Sequence, residues 1–172
     1  MIRFILGGAR SGKSRYAEQL ASASGKEVIY IATAQAYDDE MKARILQHKK
    51  QRPQEWRCIE ESMNIDQVLS DNSSVTNCIL IDCLTLWLTN LLCENCDVTT
   101  AKQVFMEVLR QSESDIILVS NETGMGVVPM GELTRRYCDE GGWLHQDIAA
   151  LADEVVLMVA GIPLVIKGPP SY

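Results

Sequence analysis

The chain has 172 residues, 47% of them apolar and 23% charged, with a formal net charge of −7. That length fits one domain, residues 1–172, with a substantial core. The acidic balance argues against a general affinity for nucleic acid or for an anionic membrane, yet is compatible with an anionic substrate held in one locally positive pocket.

The first apolar run, "IRFIL", ends in glycines, and its shortness makes a signal-peptide reading poor. Residues 14–24 follow as a helix closed by Gly25. "EVIYIAT" is β-branched and almost wholly apolar, as a strand covered on both faces requires. A charged helix over residues 38–50 comes next and stops before Pro53, because proline restricts the residue ahead of it. "EWRCIE" reads as a weaker strand, "NIDQVLS" as a short helix, "NCILIDC" as a buried strand and "LTLWLTNLL" as the helix leaving it. Residues 100–111 form a further helix and "DIILVSN" a further strand. The glycine-rich "ETGMGVVP" then leads into a helical region ending near Asp153. "EVVLMVAGIPLVIK" closes the chain as two strands around a Gly161-Ile162-Pro163 turn.

Strands alternating with helices imply a mainly parallel sheet flanked by helices on both faces, an α/β fold. The last two strands are joined too tightly for a crossover and so form an antiparallel hairpin at an edge. No run is apolar for long enough to span a bilayer, and a cytoplasmic location is the default expectation. Of the six cysteines, Cys58, Cys78 and Cys83 read as small core residues. Cys93 and Cys96 have a metal-like spacing without a second pair, and read as a helix end.

"GGARSGKS", residues 7–14, matches the P-loop pattern G-x-x-x-x-G-K-[ST], with an apolar strand before it and a helix after it. Gly7, Gly8, Ala9, Arg10, Ser11 and Gly12 would wrap backbone N–H groups around phosphate oxygens, aided by the helix N-terminus. Lys13 can reach the β- and γ-phosphates, and Ser14 offers a hydroxyl to Mg²⁺. Asp82 ends "CILID", where a carboxylate suits Mg²⁺ directly or through water; the alternative role is to cap the following helix. Asn121 and Glu122 stand at the carboxyl end of a strand, the side on which open α/β sheets bind ligands; ordinary loop construction is the other reading. His145 is accounted for by local polar contacts in a helical turn.

His48 is the other histidine. Glu40, Arg44 and His48 are four apart and share a helical face, continued by Arg52. On chemistry alone His48 is either a solvated helix residue or a nucleophile toward phosphorus, with Arg44, Lys49 and Arg52 available to hold nucleotide anions.

"GGARSGKS", "YIATAQAYDDEMKARILQHKKQRP", "SNETGMGVVP" and "ADEVVLMVAGIPLVIK" together resemble the bifunctional adenosylcobinamide kinase/adenosylcobinamide-phosphate guanylyltransferase family of cobalamin biosynthesis, across essentially the whole chain. The resemblance implies a RecA-like P-loop NTPase fold. It implies phosphorylation of the aminopropanol hydroxyl of adenosylcobinamide with GTP or ATP. Transfer of GMP from GTP to that phosphate then follows, through a guanylylated histidine. In the family pattern R-I-x-x-H-[KR]-x-x-R-P, the positions fall on Arg44, Ile45, His48, Lys49, Arg52 and Pro53, which puts the covalent role on His48. A homo-oligomer, as in trimeric relatives, is also implied. A kinase that never uses His48, or a slow nucleotide-dependent binding module, would share the phosphate loop but form no GMP adduct.

Overall fold

A computed structural model of the protein describes residues 1–35, 39, 42 and 53–169. The helix expected over residues 38–50, with Arg44, His48, Lys49 and Arg52 beyond or within it, lies outside the described residues apart from positions 39 and 42.

Among the described residues seven strands form one sheet in the order β3-β2-β4-β5-β1-β6-β7. They are β1 (Ile2–Gly7), β2 (Glu27–Ala32), β3 (Arg57–Glu60), β4 (Asn77–Asp82), β5 (Asp115–Asn121), β6 (Glu154–Val159) and β7 (Ile162–Lys167). All neighbouring pairs are parallel except β6 and β7, whose antiparallel pairing makes the expected edge hairpin. The described helices are α1 (Lys13–Ser22), α2 (Ile65–Asp71), α3 (Leu84–Cys93), α4 (Val98–Gln111) and α5 (Glu132–Leu151).

The period of two along each strand divides the core. Ile29, Ile31, Ile79, Ile81, Ile116 and Leu118 face one side, where α2, α3, α4 and α5 cover them. Val28, Tyr30, Leu80, Ile117 and Val119 face the other, where Ala17 and Ala21 of α1 pack. Small residues on α1 let it lie close to the sheet, which fixes the direction in which its N-terminus points. Trp87 is 1% exposed, rests on Phe105 with ring centroids 5.1 Å apart and donates its indole N–H to the Met63 carbonyl at 2.8 Å. Burying an aromatic of that size with its polar atom satisfied contributes on the order of 2–3 kcal/mol.

Several local expectations change in detail. The hairpin turn is Ala160–Gly161, with φ of 51° and 81°, while Ile162 and Pro163 already belong to β7. Two residues with positive φ match the twist of a tight hairpin, so the turn needs no third residue. Cys58 is exposed rather than in the core, because β3 is an edge strand with little cover. α4 starts earlier than residue 100 because Asp97 caps it, accepting from the Thr100 N–H at 3.2 Å. The Cys93 end of α3 and the exposed or half-buried state of Cys93 and Cys96 match a helix terminus.

Candidate functional site

β1 stops at Gly7, and the chain turns through residues 8–12 into α1. Gly7 has φ of 157°, and a Cβ there would stand 2.6 Å from the Met158 carbonyl oxygen and 2.6 Å from Ser11 Oγ. Only glycine lets the loop leave β1 this close to β6. Gly12 is left-handed, with φ of 95°, and is the N-cap of α1 without any side-chain cap. Among the described residues no side chain caps the first-turn N–H groups of α1, and no acidic residue lies in that turn. This is the electrostatic arrangement that accepts a phosphate. Arg10 is exposed and also left-handed, with φ of 55°.

Lys13 is only 7% exposed. Its Nζ donates to the Gly8 carbonyl at 2.6 Å and stands 3.5 Å from Ser11 Oγ. The ammonium is thus folded over the concave side of the loop, where phosphate oxygens would offer better partners than a neutral carbonyl. Burial pushes its pKa down, and the Asp82 carboxylate opposes that shift. The interaction ties together two ends that are far apart in sequence.

Asp82 closes β4, two strands away from β1 across β5. At a strand spacing near 4.8 Å this is about 10 Å between backbones, a gap that two side chains and an ion can fill. Asp82 Oδ2 accepts from the Tyr30 hydroxyl at 3.0 Å, which holds the carboxylate in place. The N-cap of α3 is Cys83, not Asp82, so helix capping does not account for the acid. Cys83 itself is a buried thiol pushed up to about 11 by desolvation, with Asp82 adding to the shift, and stays protonated. Thr33 receives the Cys83 N–H on Oγ1 at 2.8 Å and donates the same hydroxyl to the Cys83 carbonyl at 2.7 Å. Asn90 donates to the carbonyls of Thr33 and Ser62, both at 3.0 Å, and fastens this floor to α3.

Ser14 is half-buried in the first turn of α1, and Asp82, which acts on the neighbouring Lys13, is half-buried at the end of β4. Among the described residues no cluster of three or more His, Cys, Asp or Glu side chains is built to hold an ion. One carboxylate and one hydroxyl fit Mg²⁺ that arrives with a nucleotide, because such an ion takes most of its oxygens from phosphate and water.

Glu122 follows β5 directly, and its N–H donates to the Gly7 carbonyl at 3.0 Å, so it stands at the mouth of the phosphate loop. Its Oε1 accepts from the Gly124 N–H at 2.6 Å. His145 meets Ser120 of β5 as well as Glu122, contacts made across the fold rather than within its own helical turn. Sequence reading missed Tyr30, Thr33, Thr85, Ser120, Asn90 and the Ala160–Gly161 turn as parts of this region. Most sit inside apolar or helical stretches where their polarity carried no positional signal.

A family model described as "Cobinamide kinase / cobinamide phosphate guanyltransferase" matches residues 3–166. The chain is 54% identical over 170 residues to the bifunctional adenosylcobalamin biosynthesis protein CobP of Pseudomonas aeruginosa, covering 96% of this chain and 97% of that protein. It is 37% identical over 182 residues to the bifunctional adenosylcobalamin biosynthesis protein CobU of Escherichia coli, covering 97% and 100%. The Salmonella typhimurium protein of the same name is 39% identical over 182 residues, with 97% and 100% covered. Among solved structures, the flagellar accessory protein FlaH of Methanocaldococcus jannaschii aligns at a TM-score of 0.55 and 14% identity, covering 99% of this chain and 81% of that one. The Pyrococcus horikoshii protein PH0250 aligns at 0.60 and 7% identity, covering 99% and 87%. These two likenesses are of fold alone.

Proposed function

The chain belongs to the cobinamide kinase / cobinamide phosphate guanyltransferase family, and we propose that it performs both reactions at the phosphate loop just described. In the first, GTP or ATP phosphorylates the aminopropanol hydroxyl of adenosylcobinamide. In the second, GMP passes from GTP to that phosphate, giving adenosylcobinamide-GDP and pyrophosphate in cobalamin biosynthesis. The fold is read as the RecA-like type of P-loop domain, and the setting as the cytoplasm.

The observation that carries this reading is the buried Lys13 folded over an uncapped helix N-terminus, with Asp82 acting on it, in a chain so similar to the Pseudomonas protein. Loop N–H groups from Gly8, Ala9, Arg10, Ser11 and Gly12 hold the triphosphate, and Lys13 neutralises charge that develops on the transferred group. Ser14 and Asp82 would hold Mg²⁺, which would supply Lewis-acid stabilisation of the phosphate oxygens. In the kinase step the corrinoid hydroxyl oxygen bonds to the γ-phosphorus as the bond to the β–γ bridging oxygen breaks, and the hydroxyl proton passes to solvent. In the guanylyl step a His48 ring nitrogen bonds to the α-phosphorus and pyrophosphate leaves. The corrinoid phosphate then displaces the histidine. Arg44, Lys49 and Arg52 are assigned to the phosphates of the nucleotide and the departing pyrophosphate.

The test is incubation of the protein with GTP labelled at the α-phosphate, then intact mass and peptide mapping. A GMP adduct on His48 is expected. A chain that forms adenosylcobinamide phosphate but no adduct would instead be a simple kinase.

Self-association belongs to the same reading. On the edge strand, Ile162, Leu164 and Ile166 are 69%, 55% and 59% exposed on one face of the isolated chain, an apolar surface suited to a second copy. Light scattering should report an oligomer, with a trimer expected, and Leu164→Lys should shift it toward monomer.

A further inference from the structure

Ser120, His145 and Glu122 form a connected polar group beside the phosphate loop. Ser120 is 1% exposed, and its Oγ is 2.8 Å from His145 Nε2. On the opposite edge of the ring, Nδ1 stands 3.8 Å from Glu122 Oε2. The Phe4 ring packs on the imidazole at 5.5 Å between centroids and limits its rotation. Behind Ser120, Thr85 Oγ1 lies 3.2 Å away and accepts the Asn121 N–H at 2.7 Å. The Tyr137 hydroxyl also meets Thr85.

Such a group resembles a hydrolase triad, but Ser120 lies inside the sheet, sealed from any substrate carbonyl, and so is no nucleophile. The two ring nitrogens decide what the group does instead. Burial lowers the basicity of His145, so the ring is neutral and carries one proton. Placing that proton on Nε2 would turn a bare nitrogen lone pair toward the Glu122 carboxylate. Placing it on Nδ1 directs an N–H at the carboxylate and leaves Nε2 to accept the Ser120 hydroxyl.

We propose that His145 is a positioning residue for Glu122: an imidazole protonated at Nδ1, because the Glu122 carboxylate can only accept while the Ser120 hydroxyl is free to donate to Nε2, that aims the carboxylate across the mouth of the phosphate loop. The 3.8 Å separation exceeds a direct hydrogen bond and closes to one with a small rotation of the carboxylate, whose other side-chain bond among the described residues runs from the Gly124 N–H to Oε1. Because Glu122 N–H is bonded to Gly7, the carboxylate so aimed moves with the loop. The functional part of this inference rests on the kinase reading above; the tautomer does not.

The experiment has two arms. Nitrogen-15 NMR of the two histidines, with His48→Ala to assign them, should show His145 protonated at Nδ1 at neutral pH. Glu122→Ala should then remove the dominance of that tautomer, because the acceptor-only group facing Nδ1 is gone. Dominant Nε2 protonation in the wild type, or a tautomer unmoved by Glu122→Ala, would overturn the proposal whatever the enzyme's activity. In the second arm, His145→Asn retains a donor near the Nδ1 position, whereas His145→Gln keeps only the contact toward Ser120. Kinase kcat/KM should fall about tenfold in the Gln variant and recover to within a few-fold in the Asn variant, and the double variant of Glu122→Gln with His145→Gln should fall no further than Glu122→Gln alone. Equal loss in the Asn and Gln variants, or multiplicative loss in the double variant, would show a structural role only. An inactive wild type would count against the kinase reading and leave the NMR arm to decide the positioning.

Discussion

The backbone N–H of Gly161 donates to the Ser11 carbonyl at 3.0 Å, so the turn of the C-terminal hairpin is bonded to the phosphate loop. A Cβ on Gly12 would lie 3.4 Å from Gly161 Cα, so turn and loop run close together there. The loop is therefore braced from two sides, by β6 beneath Gly7 and by the hairpin turn beside Ser11.

This brace predicts different outcomes at two glycines. Gly7→Ala puts a Cβ 2.6 Å from the Met158 carbonyl and must displace the loop; GTP affinity should fall at least tenfold, roughly 1.4 kcal/mol. At Gly161 a Cβ meets nothing within 4 Å, so Gly161→Ala should cost only the left-handed backbone, about 1–2 kcal/mol of stability. Titration calorimetry and thermal unfolding separate the two. Normal GTP affinity in the Gly7 variant would contradict the steric account.

Lys13→Ala should impair both half-reactions, since both use one triphosphate cradle. Loss of a charge-assisted contact of about 1.5–3 kcal/mol corresponds to roughly 10- to 150-fold in rate or affinity. Steady-state kinetics of each half-reaction provide the check. Near-normal values in either one would separate the two sites.

Asp82→Asn keeps the size of the side chain and its place beside Tyr30 but removes the charge. The rate plotted against Mg²⁺ concentration should shift to higher concentration, with a lower plateau. An unchanged curve would remove Asp82 from ion binding.

His48→Ala should abolish the GMP adduct while leaving phosphorylation of the corrinoid hydroxyl substantially intact. Direct γ-phosphoryl transfer needs positioning and charge, not the imidazole. Adduct yield and both product rates are the measurements. An equal loss of kinase activity would mean that His48 serves the whole site.

His145 also makes stability depend on pH. Burial lowers its pKa below the ordinary 6.5, so between the two values the unfolded chain binds more protons than the folded one. Its contribution is fully present above pH 6.5 and is lost as pH falls through the folded value, with a slope of at most about 1.4 kcal/mol per pH unit. Denaturant unfolding of the wild type and His145→Asn should show the gap between them changing only below that pH. A constant gap would mean that the ring does not titrate differently on folding.

The strands and helices were largely legible because their signals are local. Period two in "EVIYIA" and "NCILID", glycines after "IRFIL" and the G-K-S of the loop each arise from neighbours in sequence, and motif and family resemblance together named Lys13, Asp82, Glu122 and His48. What neighbours cannot encode is which strand lies beside which. Only the order β4-β5-β1-β6 brings Asp82 within the field of Lys13, sets Glu122 against Gly7 and lays Met158 under the loop. The same non-local packing turned His145, which sequence alone left as a helix residue with local contacts, toward Ser120 and Glu122. Periodicity specifies the face a residue presents, but its partner is set by long-range burial and by pairing of buried polar groups, and these exist only once the chain has folded.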